Sequence, residues 1–257
     1  AELFKYPDAL NEGCESNLTI DQLIFAACRG GWPSSLQKKS DKAKLLVARS
    51  YFDSLCAEDI SNVDGVQRDE TTTRLLLRSY ARNISTMVTN RAIINDVNAN
   101  IEFSESSFYG YVKVLKKLFL IQDVEAWCPA IRSKSAIQAT DKREFVDPSL
   151  VVAALGVDPE YFNLDLKTFG FIFETLCIRD LKAYSAALCG RVSYYHDRYG
   201  LEVDCVLHLR DGKYALIEFK LGSADIDDGA KHLIELENLI KEYNEKETQC
   251  KLRLPDL

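Results

Sequence analysis

Residues 201–210 and 213–221 place apolar side chains at alternate positions on either side of Asp211-Gly212. Asp-Gly between alternating runs signals a hairpin, because both residues tolerate the left-handed backbone of a tight turn. Val203, Cys205, Leu207 and Leu209 form one apolar set, and Ala215, Ile217 and Phe219 form the other. The sets share a face only if opposing residue numbers sum to an even value. A three-residue loop, Asp211-Gly212-Lys213, meets that condition. Cys205 then opposes Phe219, Leu207 opposes Ile217, and Leu209 opposes Ala215. A two-residue turn splits the apolar face. On the reverse face the expected register sets Asp204 opposite Lys220, with Glu218 as the diagonal neighbour of Asp204.

Two carboxylates and a lysine on adjoining strand positions suit metal-assisted phosphodiester hydrolysis. Asp204 and Glu218 are the candidate ligands for a hard divalent cation, Mg²⁺ or Mn²⁺. Lys220 is the candidate to orient a water and to balance developing charge. Glu174, in Phe171-Ile172-Phe173-Glu174-Thr175-Leu176, is a further catalytic candidate. A glutamate in so apolar a helical stretch requires a partner, either a metal or a cationic side chain. The same residues also fit a salt-bridged hairpin without catalysis, with Glu174 reaching solvent or an arginine such as Arg179 or Arg198.

Upstream of this region the apolar spacing is helical. Asn17-Leu18-Thr19-Ile20-Asp21 offers caps before a short helix, and Gly30-Gly31-Trp32-Pro33 ends it. Further helices are expected from Asp41 to about residue 56, over residues 71–84, over 89–97, and from Ser104 or Glu105 onward. Residues 119–124 read as a strand, with residues 143–146 as its partner. Three helices followed by a two-stranded ribbon is the layout of a winged helix. In such a module Lys113, Lys116 and Lys117 on the last helix, and Arg132 and Lys134 on the connection, are the candidate nucleic-acid contacts. The alternative is that these lysines solvate the outer face of a packed helix. Beyond a boundary near Asp158-Pro159 the pattern becomes a helix at 167–181, strands at 191–196, 201–210 and 213–221, and a polar helix at 228–245.

The net charge of −7 opposes nucleic-acid binding by the chain as a whole. Between residues 108 and 143, however, seven bases stand against three acids, so local phosphate contact is compatible with the sequence. Eight cysteines are dispersed without a Cys-x-x-Cys pair, which fits small buried hydrophobes in a reducing cytoplasm and argues against zinc. No apolar run approaches the roughly 20 residues that cross a bilayer. The first residue is Ala1 and the single methionine is Met87, so Ala1 is read as a cut end. The phosphate-binding pattern Gly-x-x-x-x-Gly-Lys-Ser/Thr does not occur, and no ATPase chemistry is assigned to these residues.

Several motifs in order resemble the C-terminal region of the predicted AAA-type ATPase family of bacteria and archaea. They are Gly30-Gly31-Trp32-Pro33, Phe145-Val146-Asp147-Pro148-Ser149-Leu150, Gly170-Phe171-Ile172-Phe173-Glu174, Tyr194-Tyr195-His196-Asp197-Arg198, Glu202-Val203-Asp204 and Ile217-Glu218-Phe219-Lys220. The resemblance implies an α/β (α+β) chain. A winged-helix-like part is followed by a domain of unknown function with the restriction-endonuclease-like PD-(D/E)XK fold. It implies three parts: a helical linker at 1–64 from an N-terminal ATPase module, a winged-helix-like domain at 65–157, and a nuclease-like α/β domain at 158–257. ATP would be bound only by that N-terminal module. Glu174, Asp204, Glu218 and Lys220 would match the acidic-lysine signature. At Tyr194-Tyr195-His196-Asp197-Arg198 the family more often has arginine near His196, so no role for His196 is carried over. The two functional expectations are a DNA- or partner-binding module with a divalent-metal nuclease centre, and a non-enzymatic regulatory domain on a degenerate nuclease fold.

Overall fold

A computed structural model describes residue 4 and residues 16–130, 139–247 and 249–257. The described chain is mixed helix and sheet, with one three-stranded antiparallel sheet of order β1-β2-β3. Two compact units share the chain. One, the helical unit, comprises Leu18–Asp123 and Lys142–Leu176. The other, the sheet unit, comprises Ala1–Asn17, Val124–Asp141 and Cys177–Leu257.

The helical unit opens with α1 (Ile20–Arg29), whose Thr19 N-cap and Gln22 close a reciprocal capping box. Gly30 ends it at φ +75°, a left-handed backbone that the motif Gly30-Gly31-Trp32-Pro33 supplies. Pro33 starts the short α2 (Pro33–Leu36). Ser40 caps α3 (Asp41–Ser54), which continues through a π-helical turn at Leu55–Asp59 into α4 (Ile60–Asn62). Asp69, Thr89 and Ser104 then cap α5 (Glu70–Arg82), α6 (Asn90–Asn98) and α7 (Glu105–Lys117). Each cap oxygen accepts a hydrogen bond from an N–H that the first helical turn leaves unpaired. Leu76, Leu77, Tyr80, Ile93, Phe108 and Leu115 are buried here.

The ribbon expected at 119–124 and 143–146 is represented by isolated bridges rather than a ladder, with Ile121 paired antiparallel to Phe145. Gln122 N donates to Glu144 O at 2.8 Å and Val146 N to Leu120 O at 3.1 Å. Phe119 takes φ +53° where α7 stops, and Asp123 is drawn into contacts with Tyr80, Lys116 and Arg143. Asp147 then caps α8 (Pro148–Leu155), followed by α9 (Pro159–Phe162) and α10 (Leu166–Ser185). The division between the units falls within α10.

The sheet unit carries β1 (Arg191–His196), β2 (Glu202–His208), β3 (Tyr214–Ile217) and the closing helix α11 (Ile226–Lys246). The expected hairpin is present with its register displaced by two residues. Cys205 pairs with Ile217 and Leu207 with Ala215, in place of the Cys205–Phe219 and Leu207–Ile217 pairs derived above. The loop has three residues, but they are 210–212, closed by Leu209 N donating to Lys213 O at 2.8 Å. Gly212 holds φ +87° at the last loop position, where three-residue hairpins need a left-handed residue. The glycine thus selects the loop. Since the shift is even, Leu207 and Ala215 still share a face.

A second departure lies within β2. Ser193 pairs with Val206 and Tyr195 with Val203, so Tyr194 alone faces both Asp204 and Cys205. This β-bulge reverses the alternation along β2. Val203 joins Leu201, Val206, Tyr214, Leu216, Leu236 and Ile240 in one core. Leu207 joins Ala215 and Phe4 in the other. The single apolar set expected over Val203, Cys205, Leu207 and Leu209 is therefore divided between two faces. Both faces are covered, which is why apolar residues occupy odd and even positions alike. The C-terminal segment lies along the outer edge of β3, with Leu216 N donating to Leu257 O and Asp256 N to Tyr214 O, both at 2.9 Å.

Candidate functional site

Asp204, Glu218 and Lys220 meet beyond the end of β3. Asp204 sits in the bulge of β2, and its Oδ2 accepts from Phe219 N at 2.9 Å. Lys220 Nζ is 3.5 Å from the same Oδ2 and donates to Glu218 Oε2. Register alone would not aim Asp204 at the backbone of Phe219; bulges commonly re-aim a side chain at a strand end. From α11, His232 Nδ1 approaches Glu218 Oε1 to 3.8 Å. Gly229 lets the same helix come close, since a Cβ there would lie 3.0 Å from Lys220 Cε and 3.3 Å from Glu218 Cβ.

The electrostatics follow from counting charges in a confined space. Lys220 lies against both the Asp204 and the Glu218 carboxylates. The Glu218 side chain is only 6% exposed and that of Asp204 14%. Burial, and then the Asp204 charge, push the Glu218 pKa above the ordinary glutamate value despite Lys220. Burial works against the Lys220 ammonium, yet the hydrogen bond to Glu218 and the charges of Asp204 and Glu218 outweigh it and raise its pKa. Burial is thus the first cause at Glu218, whereas the two neighbouring carboxylates raise Lys220 and keep its ammonium charged.

Two carboxylate oxygen donors are of the type that Mg²⁺ or Mn²⁺ takes, with water and phosphate completing the shell. Among the described residues no group of three or more His, Cys, Asp or Glu is gathered as a metal site.

Glu174 belongs to the helical unit and is buried on α10. The partner that its apolar setting demanded is Lys142, whose Nζ lies 2.8 Å from Glu174 Oε1. Arg179, named above as a candidate partner, pairs with Asp180 at 2.8 Å. Sequence reasoning counted Lys142 only among the bases of a charged segment, and it did not find His232 or Gly229. Lys142, Arg143 and Glu144 are all buried.

Of the expected nucleic-acid contacts, Lys113, Lys116 and Lys117 are exposed on α7. Lys116 pairs with Asp123 at 2.9 Å. Arg132 and Lys134 lie outside the described residues. Seven free cysteines are described; Cys28, Cys56 and Cys205 are buried while Cys189 and Cys250 are exposed. No helix among the described residues is long and apolar enough to cross a membrane.

The family described as "Domain of unknown function (DUF8612)" matches residues 20–161. The chain belongs to that family. A second family, "Domain of unknown function (DUF4143)", matches residues 169–253. DUF8612 thus covers α1 to the start of α9, and the DUF4143 match includes Glu174, Asp204, Glu218 and Lys220. No curated protein matches the chain, and no solved structure matches it.

Proposed function

We propose that the sheet unit is a divalent-metal nuclease centre of restriction-endonuclease-like type, set in the C-terminal region of an AAA-type ATPase and acting on DNA. The observation that carries this reading is the meeting of Asp204, Glu218 and Lys220 beyond the end of β3. Asp204 and Glu218 hold Mg²⁺ or Mn²⁺. When bound, the ion supplies charge stabilisation for a phosphate and acidifies a water. The Phe219 N–H fixes the Asp204 carboxylate. Lys220, held charged at Nζ, orients a water or balances charge on a phosphate oxygen. Glu174, paired with Lys142, supports α10. The helices α5 to α7, with the Ile121–Phe145 bridge, serve as a winged-helix-like module that offers Lys113 and Lys117 to phosphates. ATP binding belongs to a separate module of the parent protein.

Plasmid and single-stranded DNA incubated at low salt with Mn²⁺ test this reading. Cleavage by the chain and its loss in Asp204→Ala are expected. Equal cleavage by both proteins overturns it.

One observation favours a second reading. Lys220 lies against both carboxylates, where it acts as a permanent counter-ion in a non-enzymatic interaction domain. On that reading Mn²⁺ neither binds nor supports cleavage, and Glu218→Gln changes stability alone.

A further inference from the structure

Helices α1, α3, α8 and α9 of the helical unit line a half-open cavity of about 570 Å³. That volume falls within the roughly 300–1,000 Å³ typical of small-molecule sites. Its inner wall is apolar and includes Ile24, Phe25, Leu45, Val152 and Val157, with Cys28 and Ala48 buried among them. The exposed residues around it are mostly acidic: Asp21, Asp41, Asp158 and Glu160. Lys42 and Arg49 are the basic lining residues. Arg49 pairs with Asp158 at 3.1 Å, and Lys44, beside Phe25, pairs with Asp41 at 2.7 Å. Even with Lys44 included, the acids exceed the bases.

The field reaches the wall. Burial first, and then the charges of Asp158 and Glu160, push the Cys28 thiol up to about 12. The thiol therefore stays protonated and does not act as a nucleophile. What remains is a non-covalent pocket with an oily interior and negative potential from Asp158 and Glu160.

We propose that this cavity binds an amphiphilic cation, a small molecule with an apolar body and one protonated amine. The body fills the space beside Ile24, Phe25 and Val152, and the ammonium lies toward Glu160, next to the Arg49–Asp158 pair. Apolar burial supplies most of the affinity, and the carboxylates decide which sign of charge is accepted. The site lies almost wholly within the part of the chain matched by DUF8612, apart from the nuclease proposal and independent of it.

The test uses three probes of one shape, phenylbutylamine, phenylbutanol and phenylbutyrate, titrated into the full chain by calorimetry at low salt. The amine is expected to bind at least about tenfold more tightly than the carboxylate, with the difference shrinking as salt is added. Asp158→Asn combined with Glu160→Gln should erase that preference while leaving alcohol binding in place. Ala153→Trp, which fills the cavity from α8, should weaken all three probes. Equal or tighter binding of phenylbutyrate overturns the proposal. So does the absence of saturable amine binding, or unchanged amine binding by a folded Ala153→Trp protein. If Ala153→Trp does not fold, the exposed Asp158/Glu160 double variant decides.

Discussion

Lys142, a side chain with no exposed surface, places its ammonium 2.8 Å from Glu174 Oε1. An ion pair so buried is costly to break from one side, because the remaining charge keeps its desolvation penalty without its partner. Glu174→Gln should therefore destabilise the helical unit by about 3–5 kcal/mol. The paired replacement of Lys142 by Met and Glu174 by Leu should recover much of that loss. Urea denaturation followed by circular dichroism measures both. A Glu174→Gln protein as stable as the parent contradicts a structural role for the pair.

Tyr80 is fully buried, donates its hydroxyl hydrogen to Asp123 Oδ1 and accepts from Arg143 Nη1 at 3.3 Å. Burial, then the Asp123 charge, hold its pKa well above the usual phenol value, so it remains a donor at any physiological pH. Tyr80→Phe keeps the ring and removes the hydrogen bonds, leaving Asp123 short of a donor. A loss of about 1–3 kcal/mol is expected from denaturant midpoints. An unchanged midpoint means that the phenol contributes no net stability.

Gly30 combines φ +75° with a crowded position. A Cβ there would stand 2.4 Å from both Asp147 Oδ1 and Ser149 Oγ, and 2.8 Å from Trp32 Nε1. These groups hold a local lock: Gly31 N donates to Asp147 Oδ2 and Trp32 Nε1 to Ser149 Oγ. Gly212 has a similar φ of +87° but nothing within 4 Å of the same position. Gly212→Ala should cost about 1–2 kcal/mol from backbone strain alone. Gly30→Ala should cost clearly more, because it also displaces the Asp147 cap of α8. Thermal unfolding of the two variants side by side checks the order.

Local chemistry made much of this legible. The caps offered by Asn17–Asp21 and the start at Ser104 were readable because a side-chain oxygen before an apolar period has few other uses, and Thr19 and Ser104 serve as N-caps. The strand at Arg191–His196 was equally readable from its β-branched and aromatic residues. The bulge at Asp204-Cys205 was not, since it depends on how Tyr194 is held from its other side by Glu125 O and Trp127 N. That is a contact between distant residues, and alternation cannot report it. The cluster of Asp204, Glu218 and Lys220 was nevertheless anticipated from the wrong register. An even shift and a bulge left all three near the same strand ends. The Lys142–Glu174 pair escaped notice for a different reason: burial of a charged run is decided by tertiary packing, not by the run itself.

The raised pKa of Glu218 fixes the direction of a pH dependence. Below the ordinary glutamate value of 4.5 the group is protonated in both folded and unfolded chains. As pH rises, the unfolded chain releases its proton first, and the folded chain retains it until its higher pKa is passed. The folded state binds more protons throughout that window, so stability falls as pH rises through it. Glu218→Gln has no proton to lose there. The parent should lose stability relative to this variant from pH 4.5 toward neutrality, as read from urea midpoints at successive pH values. An ion held by Asp204 and Glu218 would act in the opposite sense. Mg²⁺ or Mn²⁺ at about 100 times its dissociation constant should return about 2.7 kcal/mol to the parent at neutral pH, with a much smaller effect on Glu218→Gln. Parallel pH profiles for the two proteins would show that burial and the Asp204 charge do not raise the Glu218 pKa.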